Sequence, residues 1–538
     1  MWNPIGFPRI HPDEGAYIGR SIHVSDGLGP KEDAARYDHP YFGWLFLGSI
    51  FNLIGYPGSA NPTPGDANSV EMIWLFPRAT MGILSVIDTF LIYKIAERRY
   101  NGNVAFIAAI LFAVMPYTWL IRRVLLEPIQ LPFLLASILF ALYSGTKEKT
   151  NTKTKTKSKS EEMVQAKSTT EENKQASEET MQRGKQRKED SYDRYYKNYN
   201  YKRSIMLLFS SGIFLGLTIF TKIPAIALIP VVGFIVFTNN RKSFKALGIW
   251  IIPVILIPSI WPIQALTGGD FDQWQDGITR HITRADRPLL GAIEYFYNED
   301  RVLLILGLAS FVFAAVTRKD FIFLIWVIPF LALLYIVNYA STFHLIPLIP
   351  VFCIGAAVMI ADLSYKIAKN KKSIRKISPL VIVSAIAIFG LTTTTSLIGR
   401  DMNSHDFDVI ALVTQYLPAA DANRLEVKSD ESEGSKNDPV TIVARDHYKF
   451  WMFQYVFDEL EYDYKTPVNM VSKMTLENAK DGSEKVLIMA DEDLRKIVSG
   501  EELPRTREAE LKAERISDLY NNTKTVAKTH NVEIRTNY

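Results

Sequence analysis

Apolar residues in this chain come in long uninterrupted runs rather than in the short alternations of a soluble domain. Windows near 72–95, 103–121, 124–144, 204–220, 223–240, 245–265, 302–317, 320–338, 343–362 and 377–398 are apolar almost throughout. Crossing about 30 Å of hydrocarbon takes roughly 20 helical residues, so the pattern predicts about ten membrane-spanning helices. The joints "AERRYNGN", "NNRKSFK", "TRKD" and "YKIAKNKKSIRK" are basic and fall at every second turn of the chain. Lysine and arginine in short loops stay cytoplasmic. The N-terminal 69 residues, the joints at 122 and 222, the loop from 266 to 300 and the tail after 400 therefore face outward. One further run, "YFGWLFLGSIFNLIGY" at 41–56, would break this alternation if it crossed. It is short, and its tryptophan and tyrosines suit headgroup depth, so it reads as a helix lying in the outer interface.

Two stretches fall outside the pattern. Residues 146–203 open with "TKEKTNTKTKTKSKS" and close with "YDRYYKNYNYKR". They lack the apolar periodicity that could offset chain ordering, which predicts a disordered cytoplasmic insertion whose basic residues can touch anionic headgroups. The tail from 400 to 538 is polar, with "PVTIVA" and "KVLIMA" as buried strands and "YKFWMFQYVFDEL" as an amphipathic helix. It predicts a small α/β extracytoplasmic domain after a membrane core at 70–398 and an external loop at 1–69. "NNT" at 521–523 fits the N-glycosylation sequon.

Composition alone hides this segregation: 538 residues, 48% hydrophobic, 22% charged, net charge +4. A lipid bilayer is the expected partner and nucleic acid is not. The single cysteine, Cys353, sits in a span, so no internal disulfide can form. The chain begins outside the membrane without a signal peptide or a preceding span. Either a first helix is missing from this start, or a short N-terminal segment is translocated.

Charged residues from distant stretches gather on the outer side. Asp13, Glu14, Asp38 and His39 lie on the first loop, Arg78 inside the next span, Arg122, Arg123 and Lys222 at helix ends, and His281 and Arg284 on the late loop. Acids and cations converging on one membrane face suit a site that handles an anionic headgroup and removes a proton. Plainer roles compete with this one. Asp13, following Pro12, can cap a helix; adjacent acids point in different directions and form no dyad. Arg122, Arg123 and Lys222 can snorkel, although the outer side disfavours them. Arg78 lies below the interface, where a charge needs a partner or a cavity. His281 and His344, taken singly, read as structural. No His/Cys cluster has zinc spacing, and there is no phosphate-binding glycine loop or nucleophile elbow.

The succession "HPDEGAY", "YDHPYFGWLFLGSIF", "FPRATMG", "IRRVLLEP", "GLTIFTK", "HITRADRP" and "FHLIPLIP" resembles the membrane-embedded GT-C glycosyltransferases that use polyprenyl-phosphate sugars. It is similar in particular to protein O-mannosyltransferases and lipid A aminoarabinose transferases, over roughly residues 9–362 without the insertion. Order and spacing carry the resemblance, since no single motif is specific. It implies a polytopic α-helical GT-C architecture of about ten or more spans. It further implies an acidic pair at Asp13 and Glu14 that activates the acceptor, and an arginine at Arg122 associated with the donor phosphate. In the family an aspartate stands where this chain has Glu127. The family's "GL-x-x-x-TK" matches Gly216 to Lys222, and its late His-x-x-Arg matches His281 and Arg284. "DHPYFG" matches a lysine-bearing element, with His39 where lysine is usual. The phosphate-binding set is then Arg78, Arg122, Arg123, Lys222 and Arg284, and the substrate-binding set Tyr17, Asp38, His39, Glu127, His281 and His344. The family's acidic pair follows a first transmembrane helix, which this chain lacks, and the tail after 400 matches no element of the family.

The expected reaction moves a sugar from a polyprenyl phosphate to a hydroxyl or amine of a glycan, lipid or protein, with inversion. Cations stabilise the leaving phosphate and Asp13 takes the acceptor's proton. No cofactor and no metal is expected at the reaction centre. Two other readings stand beside it. An oligosaccharyltransferase would carry a WWD-type motif, whereas Phe450-Trp451 lacks the following acid. A transporter or flippase would place charge near the midplane, where only Asp88 qualifies.

Overall fold

The computed structural model describes residues 3–29, 37–60, 66–145, 202–283, 287–318, 320–367, 372–416, 440–444, 468–472, 485–501, 514 and 516–538. Nearly all of the insertion and the "YKFWMFQYVFDEL" stretch lie outside these residues. Two short helices, α1 (Pro12–Ser25) and α2 (Phe42–Ile54), precede the long α3 (Ala67–Arg99) and α4 (Gly102–Val114). There follow α5 (Leu126–Tyr143), α6 (Lys202–Thr221), α7 (Ile229–Asn239), α8 (Phe244–Gly268), α9 (Phe271–Thr283) and α10 (Leu289–Thr317). The last membrane helices are α11 (Ile322–Val337), α12 (Ile349–Ile367) and α13 (Lys372–Ile398).

Every apolar window falls on a helix, but the helices differ in length. Among the described residues, seven helices are long and apolar enough to cross a membrane, or eight if one bent pair counts as a span. The bent pair is the 103–121 window. α4 stops at Val114 because Pro116 cannot continue its hydrogen bonding and pushes Met115 into extended backbone (ψ 139°). The chain turns by 69° into a 3-10 helix, Pro116–Arg122. The windows at 223–240 and 320–338 also fall short. The sixteen residues of α11 reach about 24 Å, less than the hydrocarbon thickness.

The late loop is helical rather than irregular. α9 is strongly amphipathic, and Gly277 lets it lie against Tyr37, since a Cβ there would come within 2.5 Å of the Tyr37 carbonyl oxygen. α10 is broken at Asp300, which has non-helical φ −149° and ψ 72°. The Asp300 carboxylate accepts from the Leu303 amide (2.9 Å), capping the second half of α10, and from the Tyr117 amide (3.1 Å) of the 3-10 helix.

α2 is thirteen residues long and packs on α1 through Trp44, Leu47, Gly48 and Phe51. A Cβ at Gly48 would sit 2.5 Å from the Ser21 carbonyl oxygen, so close approach of the two helices requires glycine. These helices share a core with the N-terminal part of α3, with α14 (Ser404–Tyr416) and with a C-terminal sheet. The sheet holds β1 (Val440–Ala444), β2 (Val468–Ser472), β3 (Lys485–Ala490), β4 (Lys524–Thr529) and β5 (Val532–Thr536) in the order β2-β1-β3-β5-β4. β1 pairs in parallel with β2 and β3; β5 is antiparallel to β3 and β4. Alternation along the strands sends Ile442, Leu487, Met489 and Ile534 to the shared core, and Val443, Val486 and Ile488 to the face covered by α15 (Glu492–Val498). The expected strands at "PVTIVA" and "KVLIMA" are β1 and β3.

Asn403 fastens the N-terminal segment to this end of the molecule. Its side chain donates to the Ile5 and Pro8 carbonyls and accepts from the Ile10 amide (2.9 Å). Asn3 donates to the Ile398 and Arg400 carbonyls.

Candidate active site

α1 begins with a histidine cap. His11 Nδ1 accepts from the Asp13 amide at 3.2 Å, and Glu14 Oε1 accepts from the His11 amide at 2.9 Å, a reciprocal box in which Asp13 is not the cap. The two adjacent acids therefore part ways. Glu14 turns inward and is fully buried. It accepts from Arg78 Nε (3.1 Å), Arg78 Nη2 (2.9 Å) and the Val124 amide (3.1 Å) besides His11. Burial works against its charge, yet the Arg78 guanidinium prevails and holds its carboxyl below the usual range. Asp13 turns outward, with 52% of its side chain exposed, 3.6 Å from His11 Nδ1.

Asp13 opens onto a cavity of about 210 Å³. Its wall also includes His11 and Tyr17 of α1, Asp38 and His39, Glu127 of α5, and Lys222, which follows α6. The late segments add Arg287, Tyr339, Ser341 and His344. Leu125, Ile223, Pro224, Leu333, Leu334 and Val337 add apolar surface to the lining. Burial pushes the Tyr17 phenol well up, so it stays a neutral hydrogen-bond donor. Asp38 pairs with Arg20 (3.8 Å), which lies over the Trp44 ring at 4.6 Å. Lys222 Nζ donates to Glu127 Oε1, and both are nearly buried. His344 Nδ1 accepts from the Ser341 amide at 3.0 Å, which puts a neutral ring's proton on Nε2. Arg287 is fixed by its main chain, accepting from the Ala340 amide (2.8 Å), and its guanidinium sits over Tyr339 at 5.7 Å. Among the described residues, no three of His, Cys, Asp and Glu are grouped so as to hold a metal ion.

No family model and no curated protein matches the sequence. Solved structures do. ArnT from Cupriavidus metallidurans in the apo state is matched with TM-score 0.51 and 12% identity, over 99% of this chain and 95% of that one. The same protein bound to undecaprenyl phosphate gives 0.50 at 12% identity over the same shares. The Archaeoglobus fulgidus oligosaccharyltransferase tethered to an acceptor peptide gives 0.48 at 12% identity, over 97% of this chain and 69% of that one. The fold is GT-C.

Within this GT-C frame the structure sorts the expected residues. Asp13, Tyr17, Asp38, His39, Glu127, Lys222 and His344, scattered over more than three hundred positions, meet at one cavity. Glu14 and Arg78 do not. Beyond its bonds to Glu14, Arg78 donates through Nη1 to the Pro4, Ile5 and Pro8 carbonyls at 3.0, 3.2 and 2.9 Å. Nε and Nη2 are taken up by Glu14 and Nη1 by the N-terminal segment, so Arg78 ties that segment, α1 and α3 together away from the cavity wall. Glu14 accepts from four donors through its two oxygens and does not line the cavity.

Arg122 ends the 3-10 helix, buried, and does not line the cavity. Arg123 sits behind the wall, its guanidinium over Trp119 (5.2 Å) and Phe343 (5.5 Å). His281 lies on α9 and Arg284 outside the described residues. The late-loop cation that does reach the cavity is Arg287, three positions on in the same "HITRADRP" stretch. Sequence reasoning missed it and His11. A second arginine at a spacing of three and a histidine directly before Pro12-Asp13 were the available signals.

Proposed function

We propose that this chain transfers a sugar from a polyprenyl-phosphate donor to an acceptor hydroxyl or amine at the outer membrane face, inverting the anomeric carbon. The observation that carries this reading is the cavity: a half-exposed carboxylate, Asp13, the cations Lys222 and Arg287 and a set of apolar side chains line the same space. Supporting it is the likeness to ArnT, which has been seen bound to undecaprenyl phosphate.

The lipid chain rests against the apolar lining formed by α11 and the Ile223–Leu228 turn, while the sugar occupies the polar part. Asp13 accepts the proton of the attacking acceptor. The glycosidic C–O bond breaks with its electron pair passing to the phosphate oxygen, and Lys222 and Arg287 take up the growing charge. Attack from the face opposite the phosphate gives inversion. Lipid, glycan and protein acceptors fit this chemistry equally.

Transfer from lipid-phosphate sugars in membranes tests the reading. Asp13→Asn is expected to lose about 100-fold or more, the scale of a general base, and Arg287→Ala a comparable factor. Full activity in both variants would falsify it. Strict dependence on a divalent ion would favour the oligosaccharyltransferase reading, and counterflow of a labelled solute in proteoliposomes would favour transport.

A further inference from the structure

The residue that holds Lys222 is itself a cavity residue, and it carries the wrong sign for a phosphate site. Glu127 is 2% exposed, lies in the first turn of α5 and accepts from Lys222 Nζ. One turn along the same helix face, Gln130 Nε2 donates to the Thr218 carbonyl (3.1 Å) and to the Lys222 carbonyl (3.3 Å). α5 thus fixes the lysine twice, its main chain through Gln130 and its ammonium through Glu127. His344, which also lines the cavity, lies within electrostatic reach of Glu127, its ring set by the Ser341 amide and hydroxyl.

We infer that Glu127 is a positioning residue that competes with the donor phosphate for Lys222 and so sets both donor affinity and release of the product lipid phosphate. The inference rests on the proposed donor. A phosphate entering the cavity meets an ammonium already paired. Lys222 turns from Glu127 to the phosphate, and the carboxylate is left with His344 within electrostatic reach. Held close to a bound anion, Glu127 raises its energy and speeds its departure once the sugar has gone. Nothing in this exchange alters the number of protons or bonds. A merely structural Glu127 would aim Lys222 without opposing the phosphate.

The full chain in nanodiscs, titrated with a polyprenyl monophosphate, separates these roles. Glu127→Gln keeps the shape and removes the charge, while Gln130 still holds the Lys222 main chain. It is expected to bind the monophosphate about tenfold tighter, the scale of one nearby unit charge at a half-wet site, and to lower KM and kcat together. Glu127→Asp, still charged, is expected to bind like the native chain. Unchanged or weaker binding by Glu127→Gln overturns the inference.

Should that variant not fold, a second comparison carries the same test. Lys222→Met leaves Glu127 unpaired beside the phosphate, so adding Glu127→Gln to it must recover affinity, and no recovery overturns the inference. Lys222→Met alone must weaken binding. If it does not, the donor reading fails, whatever Glu127 does.

Discussion

Arg78 and Glu14 form a two-point ion pair with neither side chain exposed, Nε to Oε2 at 3.1 Å and Nη2 to Oε1 at 2.9 Å. The pair ties α1 to the middle of the first long helix, and through Arg78 Nη1 it also ties in the segment before α1. One residue earlier, Asp13 has no such duty. Two acids that look equivalent in "PDEG" therefore separate into one that holds the fold and one that faces the cavity.

That separation is measurable. Glu14→Gln leaves a buried guanidinium uncompensated and is expected to cost about 3–5 kcal/mol of stability. Asp13→Asn removes a half-exposed charge and is expected to stay within about 0.5 kcal/mol of the native chain. Thermal unfolding of the two purified variants in one detergent gives the comparison. Equal midpoints would show that Glu14 and Arg78 are not the clamp described here.

How much of this was legible beforehand depended on what each pattern encodes. Apolar runs record burial in lipid or core, so every window was found as a helix. They do not record where a helix ends within a run, so neither the sixteen residues of α11 nor the break at Pro116 could be read from them. The proline was visible, but an apolar run with an internal proline reads alike whether it kinks or stops. In α8, Pro253, Pro258 and Pro262 all lie inside one continuous helix.

The site was legible as a set of outward residue types and not as pairings. A cation below the interface needs a counter-charge or a cavity, and Arg78 satisfied that rule with the Glu14 carboxylate, adding through Nη1 the backbone carbonyls of Pro4, Ile5 and Pro8, a pairing that no sequence pattern announces. Arg287 was hidden differently. It stands beside a better match to the expected spacing, and its position is set by main-chain pairing with Tyr339 and Ala340, which come from another stretch of chain.

His11 makes the start of α1 sensitive to pH. Burial lowers its pKa below the ordinary value, with Arg123 and Arg287 adding to the effect and Asp13 and Glu14 opposing it. The folded chain thus prefers the neutral ring. Below about pH 6.5 the unfolded chain takes up a proton that the folded chain refuses, so stability falls as pH drops through that window and is complete above it. Protonation also removes the Nδ1 acceptor that caps Asp13. Asparagine caps without titrating, so His11→Asn is expected to lose less stability than the native chain between pH 7.5 and 5.5, on the order of a few tenths to one kcal/mol less. Unfolding curves at the two pH values provide the measurement, and parallel losses in both proteins would contradict the assignment.

Asp300 joins the break in α10 to the turn that carries Arg122, and its two oxygens can be removed one at a time. Asp300→Ala strands the buried amides of Tyr117 and Leu303, at about 1–3 kcal/mol each. Asp300→Asn keeps one acceptor and is expected to lose roughly half as much. Because the 3-10 helix Pro116–Arg122 leads directly into Leu125 and Glu127, loosening its first amide transmits to the cavity wall even though Asp300 lies outside it. Unfolding midpoints should therefore rank native, Asn, Ala, and an alanine variant as stable as the native chain would mean that the break in α10 is held by packing rather than by this carboxylate.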